Sequence, residues 1–387
     1  MDITIRPTKL SGMIHAISSK SQAHRLMILS AFADAPTRLK MNGTGRDIEA
    51  TARCLRALGA RITSTEDGYL ICPADHIPAS AELYCGESGS TLRFLLPVIG
   101  ALGIDATFHM EGRLPERPLS PLWEEIERMG CELSRPTRDT ILCRGILRPG
   151  KYSVSGNVSS QFITGLKLAF PLIKGPCELE ITGHIGSQPY IRMTEDAISK
   201  FGPDMKSPKA IRVEGDWSNG AFFLAASALG NTVEVEGLEY DTAQGDRAVI
   251  ELLPHLNGNC SVDIDDTPDL VPILSIVAAA NKGVVFTNIS RLHTKESDRI
   301  DSVISMIRAL GGHAEACDDR LIIHGTGLTG GTVDSCNDHR IAMSAAIAAS
   351  ICKTNVTILG AECVEKSYPG FWEDYSLLGG HYEQCLR

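Results

Sequence analysis

Six stretches of the chain are apolar at almost every position and carry small hydroxyl, amide or charged residues at their N-terminal ends. They read Lys20-Ser21 then Gln22–Ala33, Gly89-Ser90 then Thr91–Leu102, Ser159-Ser160-Gln161 then Phe162–Phe170, Ser218-Asn219 then Gly220–Leu229, Asp269 then Leu270–Ala280, and His339-Arg340 then Ile341–Ile351. A helix that is apolar on nearly all sides must be buried, so its polar end is the one place where it meets solvent or ligand. The free N–H groups there form an anion site by construction.

A second element alternates with the first, an amphipathic helix closed by glycine. The copies are Ile48–Leu58 before Gly59, Leu122–Met129 before Gly130, Thr194–Phe201 before Gly202, Ala248–Leu256 with Gly258, Ile300–Leu310 before Gly311, and a degenerate Trp372–Leu378 before Gly379. Glycine just past the last apolar position is a C-cap, and short alternating strands follow, such as Gly68-Tyr69-Leu70-Ile71 and Arg320-Leu321-Ile322-Ile323. The repeating unit is strand, buried helix, strand, amphipathic helix, strand, strand, at a period of about 50 to 70 residues. Neighbour-to-neighbour stacking does not cover helices this apolar. Three units per domain, with the apolar helices inside and sheets outside, do so better than an open solenoid. A doubly wound α/β fold is the alternative, but the first strand is not followed by a G-x-G-x-x-G turn.

Length agrees with two domains, since 387 residues exceed one ordinary core and 43% hydrophobic residues fill two. The least regular stretch, Lys206–Asp216, puts a boundary near residue 220. The apolar runs break well before membrane-spanning length and the first residues lack a signal-peptide core, so a cytoplasmic protein is expected. Twelve cysteines stand singly, without a C-x-x-C pair, and read as reduced and mostly buried. The eleven histidines show no metal-ligand spacing, so no metal is expected. A net charge of −10 argues against nucleic acid and concentrates the meaningful cations in a pocket.

Cations at helix starts oppose the macrodipole, at roughly 0.3–1 kcal/mol each. Yet Lys20 and Arg25 stand at the first apolar helix, Arg93 at the second and Arg340 at the sixth, and Lys295 and Arg299 lie four apart where an amphipathic helix begins. For any one of them a nearby carboxylate is the simpler partner, with Asp298 serving Lys295 or Arg340 and Asp338 serving Arg299. Repetition at equivalent ends of repeated units favours a shared anion pocket instead. The segment Cys85-Gly86-Glu87-Ser88-Gly89-Ser90-Thr91 has the composition of a phosphate-cradling turn without Walker spacing. The carboxylates nearest the cations are Asp269, readable as a plain N-cap, and Glu296, readable as a solvated ion pair. Residue types alone raise neither to a catalytic role.

Several motifs occur in a characteristic order: Ser19-Lys20-Ser21 with Arg25, Gly86-Glu87-Ser88-Gly89-Ser90 with Arg93, Leu114-Pro115-Glu116-Arg117-Pro118, Ser159-Ser160-Gln161-Phe162, Ser187-Gln188-Pro189-Tyr190, Pro268-Asp269, Lys295-Glu296-Ser297-Asp298-Arg299, Asn337-Asp338-His339-Arg340 and Lys366-Ser367-Tyr368-Pro369. Over essentially its whole length the chain resembles the 5-enolpyruvylshikimate-3-phosphate synthases. The resemblance implies an α/β fold of two globular domains, each of three βαβαββ units, with 13–223 forming one domain, 1–12 and 224–387 the other, and the active site in the cleft between them. It implies transfer of the enolpyruvyl group of phosphoenolpyruvate to the 5-hydroxyl of shikimate 3-phosphate, a step of aromatic amino acid biosynthesis, without metal or organic cofactor, by a monomer that binds neither membrane nor nucleic acid.

Carried over by motif, Lys20, Ser21, Arg25, Ser159, Ser160, Gln161, Ser187, Asp269 and Lys295 hold shikimate 3-phosphate. Lys20, Gly89, Arg117, Gln161, Arg299, Arg340 and Lys366 hold phosphoenolpyruvate. The implied catalytic groups are Asp269, taking the 5-hydroxyl proton, and Glu296 helped by Lys20, protonating the enol methylene. Departures from the pattern are Glu87 for a common Asn, Ser90 for Thr, Ile17-Ser18 for Pro-Gly, His24 for Asn, Gln188 for Lys and His293 for Arg. The rivals are a UDP-N-acetylglucosamine enolpyruvyl transferase, disfavoured by Lys20-Ser21 and by the lack of a loop cysteine in Gly112–Arg117, and a non-catalytic anion-binding repeat protein, which four such cations do not suit.

Overall fold

The computed structural model describes residues 1–256 and 260–385. Twelve α-helices are present among them: α1 Lys20–Ala31, α2 Arg46–Ala57, α3 Gly89–Leu102, α4 Leu122–Arg128, α5 Ser160–Ala169, α6 Gln188–Ser199, α7 Trp217–Ala228, α8 Val249–His255, α9 Val271–Ala280, α10 Arg299–Ala309, α11 His339–Ala349 and α12 Phe371–Leu377. The odd-numbered helices from α1 to α11, α10's neighbours included, are the six apolar stretches, and α11 is buried along its whole length. The intervening ones bury one face, as α2 does with Ile48, Ala52 and Leu55. Gly258, expected to close the helix Ala248–Leu256, lies outside the described residues.

The chain forms two compact units, one made of Met1–Ile17 and Gly215–Arg387, the other of Ser18–Glu214. Each has its own hydrophobic core. The division falls in extended segments. The expected boundaries differ: 12/13 would cut the strand Ser11–His15, and 223/224 would cut α7, a helix whose start is capped by Asp216 in the same unit.

Two sheets have the full βαβαββ order within one run of chain. In the strands Ser80–Gly86, Asp105–Met110, Cys131–Thr137 and Thr140–Gly145, the first pair is parallel and the others antiparallel, and Ser261–Asp263, Gly283–Thr287, His313–Cys317 and Arg320–His324 repeat that topology. Two more sheets are completed from afar. Ala210–Arg212 pairs parallel with Thr37–Lys40, and Ile3–Ile5 runs antiparallel between Val356–Leu359 and Tyr382–Gln384. The third unit of each domain departs from the expected pattern: among the described residues, Gly150–Ser155 with Cys177–Thr182, and Ser11–His15 with Thr232–Glu236, are only parallel pairs. After α6 the chain turns at Gly202, runs irregularly past Pro203 and Pro208, and gives its next strand to another sheet. No helix among the described residues is long and apolar enough to cross a membrane.

Close helix packing sets the polar ends in place. Pro97 inside α3 has no N–H for the Arg93 carbonyl, and Gly165 of α5 packs directly on that oxygen, where a Cβ would collide with it. The same contact brings the starts of α3 and α5 side by side.

Candidate active site

In the unit Ser18–Glu214 the helix starts are fixed by side-chain caps one residue before the polar groups of interest. Ser19 Oγ accepts from Gln22 N, Ser88 Oγ from Thr91 N at 3.2 Å, and Ser159 Oγ from Gln161 N at 3.3 Å. Lys20, Gly89 and Ser160 are therefore the first residues of α1, α3 and α5. Lys20 Nζ reaches Asp47 Oδ2 in the first turn of α2 at 2.9 Å. Ser21 supplies its carbonyl to Arg25 Nη1 at 2.6 Å.

Arg25 is 2% exposed and draws α1, α5 and α6 together. Its Nε donates to Thr194 Oγ1 at 2.8 Å, its Nη2 to Thr164 Oγ1 at 3.2 Å and to the Tyr190 carbonyl at 3.0 Å, and it lies 5.0 Å over the Phe94 ring. No carboxylate among the described residues pairs with it. Burial pushes the guanidinium down to about 9, which still leaves it charged at neutral pH. Beside it His24 is held well below its ordinary range by burial, then by Lys20 and Arg25.

Gln161 joins α3 to α5: Arg93 Nη1 donates to its Oε1 at 2.6 Å and its Nε2 donates to Ser90 Oγ at 3.0 Å. The Arg117 guanidinium packs on Gly89, where a Cβ would lie 2.7 Å from Nη1, so glycine is required for that approach. Glu87, the departure beside this turn, directs its carboxylate against Gly112. Ser187 is buried at φ 54°, before α6, and does not cap that helix with its side chain.

The other unit gathers its charges around Asp269. Arg299 Nη1 donates to Asp269 Oδ1 at 2.6 Å, Arg340 Nη2 to Oδ2 at 3.1 Å, and Lys295 Nζ to Oδ1 at 3.4 Å. The N-cap reading of Asp269 fails, because α9 begins at Val271 with Leu270 before it and no side-chain cap. Burial alone would raise its pKa, but Arg340, Lys295 and Arg299 together hold it well below the carboxylate range. Lys295 is pushed down by burial, against the pull of Asp269. Arg299, with 0% of its side chain exposed, also donates from Nη2 to Glu296 Oε2 at 2.6 Å and from Nε to Asp338 Oδ2 at 3.1 Å. Burial lowers its pKa, and Asp338, Glu296 and Asp269 more than reverse that. Asp298 serves neither Lys295 nor Arg340; it caps α10 and accepts from His293 Nδ1 at 2.6 Å. Lys366 Nζ donates to the Asn337 carbonyl at 2.7 Å, across a turn in which Cys336 and Asn337 both have positive φ.

Each unit thus assembles its own share of the candidate residues: Lys20, Ser21, Arg25, Gly89, Arg117, Ser159, Ser160, Gln161 and Ser187 in one, and Asp269, Lys295, Glu296, Arg299, Arg340 and Lys366 in the other. Sequence reasoning missed Asp47, Thr164 and Thr194. An acid in a first helical turn or a threonine on a helix carries no mark of a distant partner.

The description "EPSP synthase (3-phosphoshikimate 1-carboxyvinyltransferase)" matches residues 5–261 and 255–375. The chain belongs to the EPSP synthase family. Among curated members of this family, the 3-phosphoshikimate 1-carboxyvinyltransferase of Clostridium kluyveri is 36% identical over 418 aligned positions, covering 99% of this chain and 98% of that one. The enzyme of the same name from Clostridium perfringens is 36% identical over 417 positions, covering 98% of each. The EPSP synthase fold is also seen in the solved structure from Acinetobacter baumannii, with TM-score 0.80 and 23% identity over 99% of this chain and 100% of that one. The enolpyruvyl transferase NikO from Streptomyces tendae shares the fold at TM-score 0.74 and 15% identity, over 99% of this chain and 98% of its own.

Proposed function

We propose that the protein transfers the enolpyruvyl group of phosphoenolpyruvate to the 5-hydroxyl of shikimate 3-phosphate and releases phosphate, in the cytoplasm and as a monomer. The observation that carries this reading is the convergence of Lys295, Arg299 and Arg340 on one carboxylate, Asp269, in a chain that matches the EPSP synthase family from residue 5 to residue 375. Two phosphates and two carboxylates must be desolvated together in this reaction, and uncompensated they repel.

In this reading Arg25, with Lys20, Ser21, Ser159, Ser160, Gln161, Ser187, Asp269 and Lys295, holds shikimate 3-phosphate. Lys20, Gly89, Arg117, Gln161, Arg299, Arg340 and Lys366 hold phosphoenolpyruvate. Asp269 is a poor base while three cations sit on it. When the anionic groups of phosphoenolpyruvate take Arg299 and Arg340, Asp269 loses two of its three cations, its proton affinity rises, and it becomes able to accept the 5-hydroxyl proton. The freed oxygen attacks C2 of phosphoenolpyruvate while the C3 methylene takes a proton from Glu296, helped by Lys20. The tetrahedral ketal phosphate then loses a methyl proton to the Glu296 carboxylate as its C–O bond to phosphate breaks, and Asp269 passes the former hydroxyl proton to the departing phosphate, which restores both carboxyl groups.

Phosphate release from phosphoenolpyruvate is measured with shikimate 3-phosphate and, separately, with UDP-N-acetylglucosamine. Turnover with the first alone is expected. Turnover with the second alone reassigns the acceptor, and turnover with neither leaves an anion-binding protein.

A further inference from the structure

The start of α7 has no part in the reaction as described, yet it is among the most carefully built polar sites in the protein. Asp216 caps the helix, its Oδ1 accepting from Asn219 N at 2.8 Å. Gln244 clamps the next segment onto this end, accepting from Trp217 N at 3.2 Å and donating to the Gly215 carbonyl at 2.8 Å. Two residues later comes Asp246, 5% exposed, on a short 3-10 turn over Gly245–Ala248. Its Oδ1 is buried without a hydrogen bond, and so is Asn219 Oδ1, whose amide donates to Ser367 Oγ at 3.1 Å. A buried carboxyl with an unmet oxygen is costly as an anion.

The groups whose charge or dipole acts on Asp246 are Asp216 and Ser218 at the start of α7, Asp269 before α9, and Arg340 in α11. Burial and the Asp269 charge push its carboxyl up to about 6, while Arg340 and the Ser218 hydroxyl pull the other way and Asp216 adds to the rise. Arg340 is thus the only cation among these facing groups that favours the ionised form. That cation is already shared with Asp269, through the 3.1 Å contact to Oδ2 and a 3.4 Å contact to the carbonyl.

On the reading that phosphoenolpyruvate engages Arg340, binding replaces this support by new negative charge. We propose that Asp246 is a positioning residue that takes up a proton from the solvent buffer when phosphoenolpyruvate binds, so that the Arg340 guanidinium meets the substrate's negative charge without that of a further buried carboxylate. The proton moves to a carboxylate oxygen of Asp246 and no covalent bond to substrate is involved. Linkage makes the effect reciprocal: protonated Asp246 favours substrate, and substrate favours protonated Asp246.

The test titrates phosphoenolpyruvate into the full-length protein with shikimate 3-phosphate present, by calorimetry near pH 7 in two buffers of different ionisation enthalpy. The wild-type protein is expected to take up a proton, up to roughly one per site, and Asp246→Asn to take up correspondingly less. In steady state the wild-type KM for phosphoenolpyruvate rises above pH 6 by up to about tenfold per pH unit, whereas in Asp246→Asn that rise is flattened and kcat is retained. A merely structural role would move neither the proton count nor the shape of the profile. Unchanged uptake in Asp246→Asn, or a KM raised equally at all pH values, overturns the inference. Should Asp246→Asn fail to melt cooperatively, the wild-type calorimetry is repeated at pH 5, where a carboxyl pushed up to about 6 already carries its proton and the uptake should fall steeply; an uptake unchanged from that near pH 7 overturns the inference. A wild-type protein that does not bind phosphoenolpyruvate defeats the functional reading and this inference with it, while normal turnover without the proton difference defeats this inference alone.

Discussion

In the unit Ser18–Glu214 the buried Arg25 guanidinium rests on two threonine hydroxyls, two carbonyls and a phenyl ring, whereas in the other unit the buried Arg299 rests on three carboxylates. Both arginines are almost fully enclosed, so the contrast is in compensation rather than in exposure. Arg25 has no carboxylate partner among the described residues, and on the proposed reading an incoming phosphate supplies the missing charge. Around Arg299 the protein supplies the anions itself, so on the same reading an incoming substrate exchanges with Asp269 and Glu296 before it is held. The first arrangement favours affinity in the empty protein. The second spends affinity on a rearrangement that leaves Asp269 with a changed proton affinity.

The largest expected effect separates these two arginines. Arg25→Met should raise the KM for shikimate 3-phosphate about a hundredfold or more, because a buried charge pair with the ligand is lost, while thermal stability holds or rises. Arg299→Met removes the common partner of three carboxylates and should cost roughly 3–5 kcal/mol of stability by denaturant unfolding, as well as activity. Equal destabilisation by the two substitutions would erase the distinction between an open and a filled cation site.

Next in size is Asp269→Asn, which keeps the shape of the filled site and removes its charge. Loss of the base should lower kcat about a hundredfold or more, with substrate affinity much less affected. Binding of phosphoenolpyruvate should hold or strengthen, since Arg299 and Arg340 no longer have to leave a carboxylate. Steady-state kinetics and direct binding read the two parts separately. Near wild-type turnover would remove Asp269 from the chemistry.

The sequence carried the helices well because their signal is local. Wholly apolar turns and a Ser or Asp at each start mark α1, α3, α5 and α11, and the polar residues expected at their ends prove to be their first helical residues because Ser19, Ser88, Ser159 and Asp338 cap them. Asp269 misleads at this level: the same residue type before an apolar helix reads as a cap, yet its carboxylate is drawn away by three cations that come from 26 to 71 residues further along the chain. Strand membership fails for the same reason. Nothing in Ala210–Arg212 announces that it pairs with Thr37–Lys40, or that the third unit of each domain closes as a parallel pair. Partner choice at long range is settled by packing, which local periodicity does not encode.

The smallest effect tests whether the open charge of Arg25 is felt by its neighbours. His24 is fully buried, its Nδ1 2.7 Å from Thr51 Oγ1, which in turn lies 2.7 Å from Thr91 Oγ1, and its ring stands edge-on to Phe94. Burial, then Lys20 and Arg25, hold it well below its ordinary range, so it is neutral in the folded protein at neutral and mildly acid pH. The unfolded chain binds a proton there near pH 6.5 while the folded chain refuses it, so stability is fully present above that pH and falls as the pH drops, by up to about 1.4 kcal/mol per pH unit from this one group. Urea midpoints at pH 7 and pH 5 should differ less in His24→Asn than in the wild-type protein. In Arg25→Met, where one of the two neighbouring cations is gone, His24 accepts its proton more readily and the acid loss should be intermediate. An acid loss in Arg25→Met identical to that of the wild-type protein would mean that the charge left open in this unit is screened even from the residue beside it.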